Sequence, residues 1–513
     1  MPGVQAIDYL AVAPPLALVL AALAALLVDA FAPDRPGRVA DTALAGLGVA
    51  LAVEVVLAVD VLHSGRPRGT FCTAGPDGAA SCSYVVDNFT LLFQLVMLVA
   101  GVVVLLVSRT EVRDTRLPAG EFHFLVLAAL AGAVSLAAGR DLITLAVSLE
   151  VVSLPVFALA ALRRYDGRSA EAGLKMFLVS VVSTAVMLFG ISLVYGVTGS
   201  VHLDRVAVAL QHRDPALAGV AAVGVVLVLV GFGFKVSAVP FHFWAPDTYQ
   251  GAPIAVAAFL AVVSKAAGFA GLVLVLAVGF GPYASVWGPL VAVLAAASMT
   301  VGNLVALRQR SAVRLLAWSS IAQAGYMLAP LGAIGGLSTQ GPTARSVHDL
   351  VAATTGYVAI YAAMNIGVFA VISSLGWVGS RGGGDLDDYR GLVRVHPAVA
   401  LALAFFLACL AGLPPGLAGL FAKIVVFRAT VTGGYGWLAV IMAVNTVLGL
   451  YYYLAWASRL FAGRPEGAAA APARVLSRPV GLAIALAVVA TVALSVVPQL
   501  VLGVAPLMLG PLG

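Results

Sequence analysis

Only four of the chain's 29 basic residues are lysines, and all four, Lys175, Lys235, Lys265 and Lys423, fall within apolar stretches. Most other positive charges are arginines between those stretches, among them Arg35, Arg109, Arg163, Arg308, Arg390 and Arg474. The Ala/Val/Gly/Arg-rich composition points to a high-GC genome, which replaces lysine by arginine wherever either serves. The surviving lysines therefore mark positions where arginine does not serve. The chemical difference is titration: a guanidinium keeps its proton, whereas a desolvated ammonium gains and loses one near neutral pH. Glu150 is the one acid deep within the same apolar region. A carboxylate that approaches a buried lysine stabilises its ammonium, and one that withdraws lets the proton go. Proton transfer is the chemistry these residue types imply. A static buried ion pair that fixes helix packing is the structural alternative.

The elements that position such groups must lie in lipid. The chain is 62% hydrophobic and 10% charged, with a mean hydropathy of +1.05, which excludes a soluble globule. Apolar runs of about 20 residues recur throughout, each long enough to cross a bilayer as a helix. The net charge of +6 reflects arginines holding loops on one side of a membrane rather than a nucleic-acid footprint. The first run, Tyr9 to Phe31, has no basic residue before it and exceeds a signal-peptide core, so it is expected to remain as a span. Three cysteines match no usual iron–sulfur pattern, and no glycine-rich nucleotide motif is present, so no cofactor is expected on this chain.

The expected fold is an all-α polytopic membrane protein of about 14 transmembrane helices. They lie at roughly 9–31, 40–62, 86–107, 121–139, 141–161, 172–197, 216–243, 253–280, 283–307, 311–333, 347–375, 397–432, 436–461 and 479–508. Two spans carry breaks: the seventh at Val239-Pro240 and the twelfth at Gly412-Leu413-Pro414-Pro415-Gly416. Breaks five spans apart run in opposite directions, the signature of two inverted five-helix repeats. The expected organisation is a three-helix segment (1–120), a first repeat (121–282, spans four to eight), a second inverted repeat (283–462, spans nine to thirteen), and a final loop and span (463–513). Arginine bias places the loops with Arg35, Arg109, Arg163, Arg308, Arg390, Arg464 and Arg474 inside and both termini outside. Cys72 and Cys82 then share an oxidising external loop. A disulfide is expected there, with two free thiols as the alternative. Cys409 reads as a core residue.

Within this frame Glu150 lies in span five, Lys235 beside the span-seven break, Lys265 in span eight and Lys423 in span twelve. Lys265 is twelve residues past Pro253, about 18 Å along a helix and near mid-bilayer, beyond reach of the interface by snorkelling. Lys175 lies near a span end, where a snorkelling cation and a proton carrier are equal readings. His242 follows Pro240 and serves either as a cap or as a relay. Ser148, Ser153, Ser183, Thr184, Ser237 and Ser264, with Ser319, Ser320, Gln323 and Tyr326 on span ten, supply polar groups that could carry water between the charges. Glu54 stands outside both repeats and reads as structural.

At these residues the chain resembles the antiporter-like membrane subunits of respiratory complex I, and among them the N-type subunits of bacterial NADH–quinone oxidoreductases. The most specific stretch is Gly233 to Pro253, GFKVSAVPFHFWAPDTYQGAP, followed by Phe259-Leu260 and Ser264-Lys265. Ser148-Leu149-Glu150, Leu315 to Ile321, Asp388 to Leu392 and Ala411 to Pro415 support it. The resemblance covers about two-thirds of the chain. It implies that Glu150 and Lys235 pair, that Lys265 is the central proton-carrying lysine and that Lys423 faces a second half-channel. It further implies a bacterial plasma-membrane subunit among other membrane and peripheral subunits, which would hold the FMN, iron–sulfur clusters and quinone. The end of the chain at Gly513 leaves no lateral helix expected. One departure is Gln323, where the family often has a titratable histidine. A sodium/proton antiporter subunit shares the broken helices and buried lysines, but the Asp247 to Pro253 loop favours complex I. A purely structural membrane scaffold would do better with apolar packing than with four buried ionisable groups.

Overall fold

In lipid a backbone amide finds its partner only within its own helix or a neighbouring protein group, so long apolar runs must become helices. The computed structural model describes residues 7–32, 35–74, 80–337, 344–375, 383–463 and 476–502. Arg464, Arg474 and the predicted span residues 503–508 lie outside the described residues. Among the described residues twelve helices are long and apolar enough to cross a membrane. Ala312–Leu337 is a further long helix, and Pro397–Ala411 with Leu417–Thr432 forms an interrupted one. The protein is an all-α polytopic membrane protein.

Local chemistry sets the bounds. Gly167–Thr198 outruns the expected 172–197: Asp166 caps its start by accepting from Arg168 N–H, and Gly199, at φ 66°, ends it. The last long helix, Arg478–Val496, stops ahead of Pro498, well short of 508. The first broken element is longer than expected. After Ala218–Lys235 and a turn through His242, a second half-helix, Trp244–Gly251, continues what read as loop.

One departure from the all-helical expectation occurs among the described residues. Arg68–Ala74 and Ala80–Val86 pair antiparallel, with Cys72 opposite Cys82 and a disulfide between them. Their threonine, valine and tyrosine content suits a strand pair, a signal hidden by the small residues of the loop. Arg205 ties the hairpin to Leu203–Gln211 through Ser81 Oγ (2.8 Å) and the Thr73 carbonyl (2.6 Å).

The opposite end of the bundle is stitched by the Asp388 to Leu392 motif. Asp387 accepts from Arg390 Nε (2.9 Å) and Arg459 Nε (3.1 Å), Leu386 N–H donates to the Arg310 carbonyl, and Gly391 N–H to that of Arg459. The Arg390 and then the Arg459 guanidinium hold the Asp387 carboxyl below the usual carboxylate range. This motif is a clasp, remote in sequence from every buried lysine. At the centre of the bundle, Ile254–Gly279 and Val347–Ser374 are buried along most of their length, while Ala13–Phe31 and Pro36–Ser64 turn most of their surface outward.

Candidate functional site

Lys265 rides on the buried central helix, directly after a π-helical turn at Leu260–Ser264, with a second at Leu274–Gly279. Such turns widen the helix and often accompany function. The helix start is fixed by Glu111, whose carboxylate accepts from Ile254 N–H (2.8 Å) and Ala255 N–H (2.9 Å). Lys265 Nζ donates to the Ser320 carbonyl (2.7 Å) and to the Val236 carbonyl (3.3 Å), an acceptor released by the break beside it.

Lys235 ends the first half-helix, and its Nζ donates to Ser153 Oγ at 2.8 Å. Ser153 follows Glu150 by three residues, one turn along Leu142–Ala160, and its hydroxyl donates onward to the Leu149 carbonyl. Glu150 itself is half-buried and accepts from Thr184 Oγ1 (2.5 Å). The expected direct Glu150–Lys235 contact is absent here: each group bonds a hydroxyl instead, Glu150 that of Thr184 and Lys235 that of Ser153. Space for Lys235 comes from Gly268, where an added Cβ would stand 2.9 Å from Lys235 Cγ. The break satisfies its own backbone. Val239 N–H donates to Ser298 Oγ (2.9 Å), and Trp244 Nε1–H to the Phe234 carbonyl (3.2 Å).

Lys423 lies beyond the second break and reaches back across it. Its Nζ donates to the carbonyls of Ala411 (2.7 Å) and Leu410 (3.2 Å), the free C-terminal acceptors of Pro397–Ala411. Gly412, at φ 81°, makes that turn and clears the side chain. The ring of Tyr326 lies 5.8 Å from Nζ and stacks on Tyr357.

Two clusters of hydrogen-bonded neutral groups lie near Lys265 and Lys423. Gln323 accepts from Tyr357 Oη (2.6 Å) and donates to Tyr453 Oη (3.1 Å), which also bonds Ser319. Tyr361 Oη donates to Ser320 Oγ (3.0 Å) and accepts from Asn365 (2.8 Å). Lys235, Lys265 and Lys423 are 2%, 2% and 6% exposed, and among the described residues none has a carboxylate within 4.0 Å.

Lys175 is elsewhere. Its ammonium snorkels to Glu171 (2.6 Å) and Asp247 (2.8 Å), and Asp247 also holds Arg314 (2.8 Å), so it stands apart from the buried set. His242 sits at the break. It is buried with its ring edge-on to Trp318, because the second half-helix continues past it. Glu54 is buried on Pro36–Ser64, outside the cluster.

This geometry has close relatives. A family model described as NADH:quinone oxidoreductase/Mrp antiporter, transmembrane, matches residues 139–449. The NADH-quinone oxidoreductase subunit N 2 of Streptomyces griseus subsp. griseus is 50% identical, over 97% of this chain and 93% of the relative. The chain belongs to the subunit N family of NADH-quinone oxidoreductases. The subunit N of Salinispora tropica is 40% identical over 98% of this chain and all of its own. In a solved structure of Thermus thermophilus respiratory complex I, one chain matches at 34% identity and a TM-score of 0.75, covering 96% of this chain and 99% of that one. A chain of the Mrp complex from Dietzia sp. shares the fold, with a TM-score of 0.80 at 23% identity over 97% and 96% of the two chains.

The sequence singled out each buried lysine but missed Ser298, Asn365, Tyr357, Tyr361 and Tyr453. A tyrosine or asparagine within an apolar run is common, and only packing reveals that several share one network.

Proposed function

We propose that this chain is the N subunit of a proton-translocating NADH–quinone oxidoreductase in a bacterial plasma membrane, and that it moves protons through Glu150, Lys235, Lys265 and Lys423. Flavin, iron–sulfur clusters and quinone belong to partner subunits, and the redox chemistry occurs there. The observation that carries the reading is the setting of the three buried lysines. Each ammonium is held by hydroxyl or carbonyl oxygens and by no carboxylate, so each can lose its proton without stranding a buried counter-charge.

Protons enter at Glu150 and step by Thr184 and Ser153 to Lys235. Lys265 shares the break with Lys235 through the Val236 carbonyl. The Ser320–Tyr361 and Tyr357–Gln323–Tyr453 hydroxyls lead on toward Lys423. Gln323 hands on hydrogen bonds without titrating, and water completes the remaining steps. The separation of Glu150 from Lys235 is one state of a switch whose other state is their direct pair. Residues 121–282 and 283–462 act as inverted repeats about the central helix, with both termini outside. Lys175 tunes the inner surface through Asp247, and His242 orients the break.

Proton pumping by vesicles bearing the intact complex tests this. Lys235→Ala and Glu150→Gln are expected to leave assembly intact and to lower pumping, with coupled quinone reduction falling alongside. Full pumping by either variant at normal complex levels overturns the reading. Co-purification with flavin and iron–sulfur subunits separates it from a sodium/proton antiporter subunit.

A further inference from the structure

The N-terminal three-helix segment lies outside the lysine chain, yet it buries an acid of its own. Glu54 is 1% exposed on Pro36–Ser64, and neither of its carboxyl oxygens has a hydrogen-bond partner among the described residues. Its place follows from the packing around it. An added Cβ at Gly101 would stand 2.8 Å from Leu130 Cδ2 and 3.4 Å from Leu47 Cδ2, so Pro36–Ser64, Asn88–Thr115 and Ala119–Ala138 meet at that level. Two turns nearer the Cys72–Cys82 hairpin, the same seam carries Glu54, seven residues after Leu47, and Gln94, seven before Gly101. There Gln94 Nε2 donates to the Val134 carbonyl (2.9 Å) and to Tyr84 Oη of the hairpin (3.4 Å). Tyr84 is the titratable group that the hairpin brings to this seam.

The hydrogen bonds here do not balance without a further donor. Gln94 Oε1 is a third buried acceptor with no partner among the described residues. Turning the amide over does not help, because Oε1 would then face the Val134 carbonyl, acceptor against acceptor. The cations at this end are engaged elsewhere: Arg68 with Asp8 (2.8 Å) and Asp60 (2.7 Å), and Arg140 with Asp87 (2.7 Å). Arg109 pairs with Asp41, which lies thirteen residues before Glu54, about 20 Å away along the helix. An ionised Glu54 would therefore be an uncompensated buried charge, far costlier than a buried neutral group. A single proton removes the deficit. It turns one Glu54 oxygen from acceptor into donor, level with the waiting Gln94 Oε1.

We propose that Glu54 is a proton-binding site separate from the lysine chain, held as the neutral acid with its O–H donating to Gln94 Oε1, and a site of modification by lipid-soluble carbodiimides. Such a reagent reacts with a carboxylic acid that keeps its proton in lipid. The proton passes to one carbodiimide nitrogen while the carboxyl oxygen bonds the central carbon. The acyl group then migrates from that oxygen to the second nitrogen, giving a stable N-acylurea with no other reactant. The reagent arrives from the lipid face of the helix, where the adjoining Val55 and Val56 are 54% and 55% exposed.

Dicyclohexylcarbodiimide added to the intact complex in nanodiscs, followed by peptide mass spectrometry, tests this. The wild-type peptide carrying Glu54 is expected to gain the mass of one carbodiimide at that residue, equally with and without sodium. The Glu54→Gln peptide should gain none there. No adduct on wild-type Glu54 overturns the proposal. An adduct that sodium suppresses also overturns it, by showing a carboxylate that holds a cation. Glu54→Gln supplies an N–H donor in place of the O–H, so the unfolding temperature of the complex is expected to stay unchanged. A higher one would mean that the wild type buries an unpaired charge, against the neutral acid.

Discussion

At the scale of single residues, lysine and arginine separate the transport reading from the structural one. If Lys265 must release its proton, Lys265→Arg fails although charge and length are kept, because a guanidinium does not deprotonate in a protein. Pumping by the arginine variant is expected to fall by roughly tenfold or more, equivalent to at least about 1.4 kcal/mol on the transfer barrier, as in Lys265→Ala. Were Lys265 only a structural cation, arginine would restore its bonds to Ser320 and Val236, and pumping would stay near wild type. Complex content measured in the same membranes keeps a folding defect from passing as a transport defect. A second prediction concerns Gly268, which opens the seat of Lys235. Gly268→Val pushes against Lys235 Cγ and is expected to cost about 1–3 kcal/mol of overpacking. Pumping should fall more than thermal stability, since the displaced group is a carrier; loss of stability with pumping per complex unchanged would assign Gly268 to packing alone.

At the scale of elements, the central helix depends on a cap from a distant part of the chain. Glu111 accepts from Ile254 and Ala255 and from Arg163 (3.2 Å), so one carboxylate fixes where the Lys265 helix begins. Glu111→Ala removes that cap and leaves Arg163 unpaired. The expected loss is about 1–2 kcal/mol, read as a lower unfolding temperature of the complex. An unchanged unfolding temperature would mean that water caps the helix equally well. Ser298 plays the matching part at the first break, where its hydroxyl meets the Val239 amide. Neither residue could be picked from sequence, because a capping acid and a serine bonded to a distant turn look like any polar residue in an apolar run. The Asp388 to Leu392 motif shows the reverse: it is prominent in sequence and serves as a clasp between loops.

At the scale of the whole molecule, the machinery and its covering separate. The Cys72–Cys82 hairpin lies at the opposite end from the Asp387 clasp, and Arg205 ties it to Leu203–Gln211. Mass spectrometry of non-reduced peptides is expected to show the two cysteines joined, and Cys72→Ser to pump normally. Loss of the cross-link should cost about 3 kcal/mol or less. Lost pumping in an assembled Cys72→Ser complex would give the hairpin a part in transport.

The sequence by itself determined the class of the molecule. Long apolar runs have no other fate in lipid than helices, prolines and glycines mark the breaks, and a lysine amid alanine and valine stands out against an arginine-rich background. Lys235, Lys265 and Lys423 were legible for that reason. What tertiary structure alone decided is which groups meet. A side chain of the length of Lys175 reaches Asp247 from the span end, so it left the buried set. Glu150 and Lys235 each bond a hydroxyl, Thr184 and Ser153, in place of one another. The network tyrosines, Tyr357 and Tyr361 on Ala344–Ser374 and Tyr453 on Gly436–Phe461, all bond side chains of Ala312–Leu337, and hydrogen bonds across helices depend on rotation and depth, which no local pattern encodes.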